Sequence, residues 1–472
     1  MSKQFRDCHL DQLLLLPPSL QDWLPEGHLA RFVAEVVETL DLSAIYARYE
    51  EGDGRGQAAY DPRMMVRLLI YGYCRGVASS RRMERATYED VAFRYLAADQ
   101  HPDHDTIADF RKEHLANLSQ LFVQVLRLCQ QAGLVKLGPV ALDGTKVKAN
   151  ASKHKAMSYE RMGEAEKRLE AEVKALLEEA GRVDGEEDGK YGKGKGGDEL
   201  PAEWAQREMR LAKIREAKAA LEREAREQAE AEKVRVEARL KVRAQQEAER
   251  GRKFGGRPPE APDPRQARPQ PKAQRNFTDP DSRIMKDTAT KEFVQAYNAQ
   301  AAVDSQAQVI VAAAVTQEEN DKKQLVPMLE QVKIMTGSQP QQATADSGYF
   351  SEANVTDPKL EGIDLLVAPD RQKHGEAMPV APGPPSPSWP QLSPPPSAAQ
   401  AMRHKLRTPE GRAVYKMRKA VAEPVFGQIK EQRGFRRFLL RGLKRVDAEW
   451  HLICATHNLL KLYRSGWSPQ RA

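Results

Sequence analysis

Residues 203–250 consist mainly of Ala, Glu, Lys, Arg and Gln, with few large apolar side chains. Such a stretch offers a thin packing face and cannot close a core of its own. A second charged stretch, roughly 160–180, precedes it, and the glycine-rich sequence DGEEDGKYGKGKGGD separates the two. Two long helices folded into an antiparallel hairpin fit this pattern. Residues 158–275 are therefore expected to be a charged helical insertion that ends in a linker, since 251–275 is rich in Pro, Arg and Gln. The core of the chain must come from what lies on either side.

On the N-terminal side, apolar residues recur at helical spacing in HLARFVAEVVETL and LSQLFVQVLRLCQQAGL. An all-helical domain is expected over 1–135, with Asp105 or Thr106 capping one helix. Its middle carries Arg75, Arg81, Arg82 and Arg85, which suits either DNA docking or a solvated surface. Over 136–157 the pattern changes. Pro139–Leu142 reads as a short strand delivering Asp143, followed by a turn and a second strand through Thr145, Val147 and Ala149.

Residues 276–378 return to globular patterning. EFVQAYNAQAAVD and AQVIVAAAVTQ read as successive strands, and DKKQLVPMLEQVKIMTG as a helix closed by Gly337. QQATADSGYF is a strand running into a turn, and IDLLVAP is a further strand. Strands with interleaved helices indicate an α/β domain. A Pro-rich linker is expected over 379–407, and a basic helical part over 408–472.

Bulk properties narrow the class only mildly. The net charge of +7 favours a polyanionic partner without requiring one. Cys8, Cys74, Cys129 and Cys454 are scattered with no CxxC pair, which disfavours a disulfide framework or zinc knuckle. The N-terminal leucine run is too short to span a membrane and lacks the layout of a secretion signal. A soluble, cytoplasmic protein is expected, with no membrane partner.

Three acids stand out by context. Asp143 follows the strand Pro139–Leu142 and Asp346 the strand Gln342–Ala345, and a carboxylate at the C-terminal end of a strand faces the crevice where α/β sheets bind ligands. Two such carboxylates repel at close range unless a cation lies between them. Hard oxygen ligands suit Mg²⁺. Glu423 lies in a helix, VYKMRKAVAEPVFGQIK, and could complete a site for two metal ions. From Arg412 to Arg445 there are eleven lysines and arginines but only two acids, Glu423 and Glu431, a field suited to the DNA backbone. Asp143-Gly144 and Asp346-Ser347-Gly348 read equally well as ordinary turns.

LDGTKVKANAS, ATADSGYFSEANV and AEPVFGQIKEQRGFRRFLLRGLKRVDAEWHLICATHNLLKL resemble the three blocks of DDE transposases of bacterial insertion sequences. The nearest resemblance is to the IS-eleven-eighty-two group, related to the IS-four and IS-five families. It implies an α/β ribonuclease-H-like core and an N-terminal domain that binds the terminal inverted repeats. It implies that Asp143, Asp346 and Glu423 bind two Mg²⁺ ions, with Mn²⁺ able to substitute. Tyr415, Arg418 and Lys430 are similar to a Tyr–Arg–Glu–Lys signature that holds the DNA end. Four residues separate Arg418 from Glu423 where the signature has three, so Lys419 is an alternative to Arg418. With these, Arg433, Arg436 and Arg437 are the candidate DNA contacts. The implied partners are double-stranded terminal repeats, target DNA and a second copy of the chain. The alternatives are a catalytically silent DNA-binding relative and a coiled-coil interaction protein. The second of these leaves the strand-borne aspartates and residues 276–370 unexplained.

Overall fold

A computed structural model describes residues 19–50, 58–191, 202–287, 290–371 and 397–469. Cys8, the N-terminal leucine run and the Pro/Ser-rich 379–396 lie outside the described residues. Seven helices come first: α1 (Leu29–Thr39), α2 (Ser43–Glu50), α3 (Pro62–Cys74), α4 (Ser80–Glu89), α5 (Val91–Leu96), α6 (His104–Glu113) and α7 (Leu115–Gln131). Then follow β1 (Pro139–Lys148), β2 (Ala156–Ser158), α8 (Tyr159–Tyr191), α9 (Ala202–Arg250), β3 (Gln274–Asn276), β4 (Arg283–Lys286), β5 (Phe293–Asp304) and β6 (Ile310–Thr316). The remaining elements are α10 (Leu325–Thr336), β7 (Gln342–Ala345), α11 (Glu352–Val355), β8 (Asp364–Val367), α12 (Ala398–Arg407), α13 (Pro409–Gly427) and α14 (Leu443–Arg464). The chain forms two compact units, Met1–Val147 with Asn298–Ala472, and Lys148–Tyr297.

In the first unit the helices start where short polar side chains can take the free N–H groups of the first turn. Asp61 accepts from the N–H groups of Arg63 and Met64 ahead of Pro62, which stands at the first helical position of α3. Asp103, rather than Asp105 or Thr106, caps α6, accepting from Thr106 N at 2.6 Å. The two candidates lie inside the first turn, one residue set too late. The helix α7 buries Leu118, Phe122, Val125 and Leu126, and it packs on α14 together with α3. The boundary expected near 135 between a helical domain and the core therefore falls inside this unit.

The sheet of this unit runs β6-β5-β1-β7-β8. β6 is antiparallel to β5, and β1, β7 and β8 are mutually parallel. α10 covers β6 and ends at Gly337, whose φ of 79° is the left-handed conformation that glycine adopts without strain. The linker expected over 379–407 gives way to a helix: α12 starts with a Ser397–Gln400 capping box and buries Met402 and Leu406.

α14 is buried along most of its length, with Trp450, Leu452, Ile453, Cys454, Leu459 and Leu462 all within the core. It also carries buried polar groups, each with a partner. Asn458 Oδ1 accepts from Ile310 N at 2.8 Å while its Nδ2 donates to Ile310 O at 2.8 Å. Asp447 Oδ1 accepts from Val315 N at 2.8 Å. These side chains supply the hydrogen bonds that a further strand would give to the edge strand β6. His457 is fully buried against Gln308 O, 3.1 Å from its Nε2.

In the second unit β2 and β3 pair antiparallel, and α8 packs on α9 through Met162, Leu169, Leu211, Ile214 and Leu221. The side-chain pairs Glu172–Arg207 and Glu166–Lys218 rise on one helix as they fall on the other, so the two helices are antiparallel. α8 continues to Tyr191, well into the sequence read as a glycine-rich loop. The stretch read as a linker is tied down: Phe254 N donates to Glu247, and the Arg250 guanidinium stacks over the Phe254 ring at 4.9 Å. β4 pairs with the first residues of β5.

Two outcomes follow from α14. Asn458→Leu keeps the volume but strands both backbone groups of Ile310; a loss of about 2–4 kcal/mol in urea unfolding is expected, and an unchanged midpoint would refute the bridging role. Burial holds His457 well below its ordinary value near 6.5, so the unfolded chain takes up a proton that the folded chain refuses. Its contribution to stability is complete above pH 6.5 and is lost as pH falls below it. His457→Gln keeps a donor for Gln308 O without a titrating ring. The drop in melting temperature between pH 7.5 and about 5 should shrink in this variant relative to the parent.

Candidate active site

Parallel pairing sets the first two acids beside each other. β1 and β7 pair with Pro139, Val140 and Ala141 opposite Gln342, Ala343 and Thr344. The same register carried two residues further brings Asp346 opposite Asp143. β7 ends at Ala345, whereas β1 runs on to Lys148, so Asp143 lies within a continuous strand. The turn and second strand expected after Leu142 are not formed. Asp346 opens a tight turn, its Oδ1 accepting from Gly348 N at 2.9 Å, as Asp143 Oδ1 does from Gly144 N at 2.9 Å.

Gly144 is required by crowding and not by a turn. A Cβ there would meet Gln300 Nε2 at 2.4 Å, Asp321 Oδ1 at 2.6 Å and Asn298 Oδ1 at 3.1 Å. Asn298 and Gln300 occupy alternate positions of β5, on one face of the strand. Asp321, in the segment before α10, accepts from both amides, at 2.7 and 2.6 Å. The hydroxyl of the buried Tyr349 donates to Gln300 Oε1, and Trp450 Nε1 donates to Gln300 O at 3.0 Å.

The electrostatics follow from this crowding. Burial pushes the Asp143 carboxyl up to about 7; the charges of Asp346 and Asp321 push the same way, against the Arg418 guanidinium and the Gly144 N–H. Burial and the three aspartates also hold the Tyr349 hydroxyl well above its ordinary range. Arg418 is buried, with its guanidinium 5.7 Å from the centre of the Tyr415 ring.

Glu423 is placed differently. On α13, Arg418, Val421, Ala422, Val425 and Phe426 form the buried face, while Glu423 is exposed. Among the described residues no three His, Cys, Asp or Glu side chains are arranged to hold one metal ion. The structure thus unites Asp143 and Asp346, with Asp321 beside them, and leaves Glu423 on the outer side of α13. Pro424 does not break this helix. Pro424 has no N–H for the Ala420 carbonyl, which instead accepts from Gln308 Nε2 at 3.0 Å. A π-helical turn, Gln428–Gln432, follows α13 and aims Lys430 back at β1, where its Nζ donates to Thr145 Oγ1 at 3.0 Å and Lys146 O at 2.9 Å.

The candidate DNA contacts divide by exposure. Lys419, Arg436 and Arg437 are exposed, Tyr415 and Lys430 are half-buried, and Arg418 and Arg433 are buried. Arg433 donates to Thr456 Oγ1 at 2.9 Å, and its backbone carbonyl would lie 2.4 Å from a Cβ on Gly76. It is a packing residue of the core, a correction to its reading as a surface contact. Asn298, Gln300 and Asp321 were not singled out from the sequence. Polar residues recurring at every second position of an otherwise apolar strand were the available signal.

Two families match the chain: a transposase domain (DUF772) over residues 18–113, and a transposase DDE domain over residues 391–463. Both matches support a DDE-type transposase of insertion sequences. No curated protein and no solved structure matches it. The first match covers α1 to α6, and the second covers α12, α13 and most of α14, including Glu423. A DDE domain implies a ribonuclease-H-like fold, and proteins that carry one generally use divalent metals. The donor set fits such an ion: Asp143 and Asp346 offer hard oxygens in a desolvated pocket where like charges crowd. No helix among the described residues is long and apolar enough to cross a membrane.

Gly144→Ala should cost about 1–3 kcal/mol through overpacking against Gln300 and Asp321. Wild-type stability in thermal unfolding would show that the neighbours yield and that the close approach is not required.

Proposed function

We propose that this transposase cuts DNA at the terminal inverted repeats of its insertion sequence and joins the ends to target DNA, as a member of the IS-eleven-eighty-two group. The observation that carries the reading is the register that brings Asp346 opposite Asp143 at the end of a parallel strand pair, in a chain with a DDE domain. Asp143 and Asp346 are the residues that would hold Mg²⁺, or Mn²⁺ in its place; Glu423, exposed on α13, is the third ligand only by the resemblance and would have to turn toward them to complete a site for two ions. A divalent ion held there would supply Lewis-acid stabilisation to an in-line displacement at phosphorus in which water or a DNA 3′-hydroxyl is the nucleophile.

The protein's own part is to bind and orient. Arg418 places a cation beside the acid pair, with the Tyr415 ring beneath its guanidinium. Lys430 tethers the π-helical turn to β1. The exposed Lys419, Arg436 and Arg437 neutralise phosphates, so binding weakens steeply with salt. The helical N-terminal part recognises the repeats, and two copies act on paired ends. The reading places the protein in the cytoplasm, on the nucleoid when bound.

A second reading draws on the exposure of Glu423: a DNA-binding relative without chemistry. Variants separate the two. Asp143→Asn, Asp346→Asn and Glu423→Gln should each cut an oligonucleotide duplex of the flanking repeat at below about 1% of the parent rate, since even losing a group that only orients a metal ligand costs about 10–100-fold. Repeat binding in a gel shift should persist. Normal cutting by Glu423→Gln would remove it from the triad, and no cutting by the parent protein with Mg²⁺ or Mn²⁺ would favour the silent relative.

A further inference from the structure

Asp321 belongs to none of the three acids that the resemblance supplies, yet it sits against both aspartates. One of its oxygens is fixed: Oδ1 accepts from Asn298 Nδ2 at 2.7 Å and from Gln300 Nε2 at 2.6 Å. The other turns toward the acid pair. A Cβ on Gly348 would lie 3.0 Å from Asp346 Oδ1 and 3.5 Å from Asp321 Oδ2, so both oxygens border the same small space.

Asn298 provides an independent sign. It is fully buried, and its Nδ2 donates to Asp321 Oδ1 and, at 3.2 Å, to Glu318 O. Both are acceptors, which fixes the orientation of the amide. Its Oδ1 is left facing Gly144, next to Asp143, and it accepts no hydrogen bond from any described residue. A buried carbonyl oxygen in that position is unfavourable unless something donates to it.

We propose that Asp321 and Asn298 extend the Asp143–Asp346 pair into a four-residue oxygen-lined seat for a hydrated divalent cation, with Gln300 holding Asp321 in place. The inference rests on the reading of Asp143 and Asp346 as cation-holding acids. Mg²⁺ keeps several of its waters, and a carboxylate oxygen and a neutral carbonyl oxygen can each accept from such a water. Asp321 and Asn298 are therefore positioning residues that act through the hydration shell. Lys146 offers the competing account, because its charge interacts with Asp321 and its Nζ donates to Glu319 O. A carboxylate that serves only to balance that lysine has no effect on the cation.

Asp321→Asn tests this cleanly. The new amide keeps an oxygen for Asn298 and Gln300 and replaces the charged oxygen facing the acid pair with a neutral N–H donor. Binding of Mn²⁺ alone to the full-length protein, without DNA, is measured by calorimetry and by the cation-dependent rise in melting temperature. Asp321→Asn should weaken Kd by about 10-fold or more, with an unchanged melting temperature before cation is added. Asp143→Asn, run alongside, should abolish binding. Parent-like affinity in Asp321→Asn with binding lost in Asp143→Asn overturns the inference and leaves the functional reading standing. Parent-like affinity in both overturns the reading of the acid pair and the inference with it. Should Asp321→Asn fail to fold, Asn298→Ser, which withdraws the oxygen facing Gly144, carries the same expectation and is refuted by parent-like affinity.

Discussion

The first unit depends on a substitution of side chain for backbone. β6 is an edge strand, and an edge strand with unpaired N–H and C=O groups invites pairing with other chains. α14 closes it with Asn458 and Asp447, whose polar atoms reproduce the pairing of a neighbouring strand. Because the opposite side of α14 packs on α7 and α3, the same helix joins the helical layer to the sheet. The acids lie on β1 and just beyond β7, two and three strands in from that edge.

Within that frame the site is built from close approach. Gly144 lets two amides and a carboxylate come up against β1, and this packing removes water from Asp143. The pocket then concentrates negative charge, offset by Arg418 from α13. Pro424 and the π-helical turn after it, which a regular helix would not contain, set where Lys430 points. Local irregularity of this kind is common where a helix carries function.

Much of this was legible from residues alone. The strands that lead to Asp143 and Asp346 were both read from the sequence, and Gly337 marked the end of α10. What escaped was whatever depends on a partner distant in sequence. Asp143-Gly144 has the composition of a turn, but pairing with β5 and β7 draws the backbone straight through it. Arg433 looked like one more cation of a basic run, because no local pattern encodes the Thr456 hydroxyl that accepts from it. Asp321 was hidden for the same reason: its meaning lies in Asn298 and Gln300, on another strand. The basic field around Glu423 was plain in the sequence, but which way that side chain turns depends on the phase of α13 against the sheet.

The hydrogen bonds between α14 and β6 also govern the order of events at the ribosome. Ile310 and Asn458 lie 148 residues apart, and Val315 and Asp447 lie 132 apart. β6 is made long before the helix that covers it, and synthesis proceeds at about 5–20 residues per second. For several seconds the nascent sheet therefore presents an open flank to every other nascent sheet nearby. The α8–α9 pair, synthesised entirely before β6, can form in that interval. The edge of β6 cannot be covered until α14 emerges, so this helix closes the first unit last.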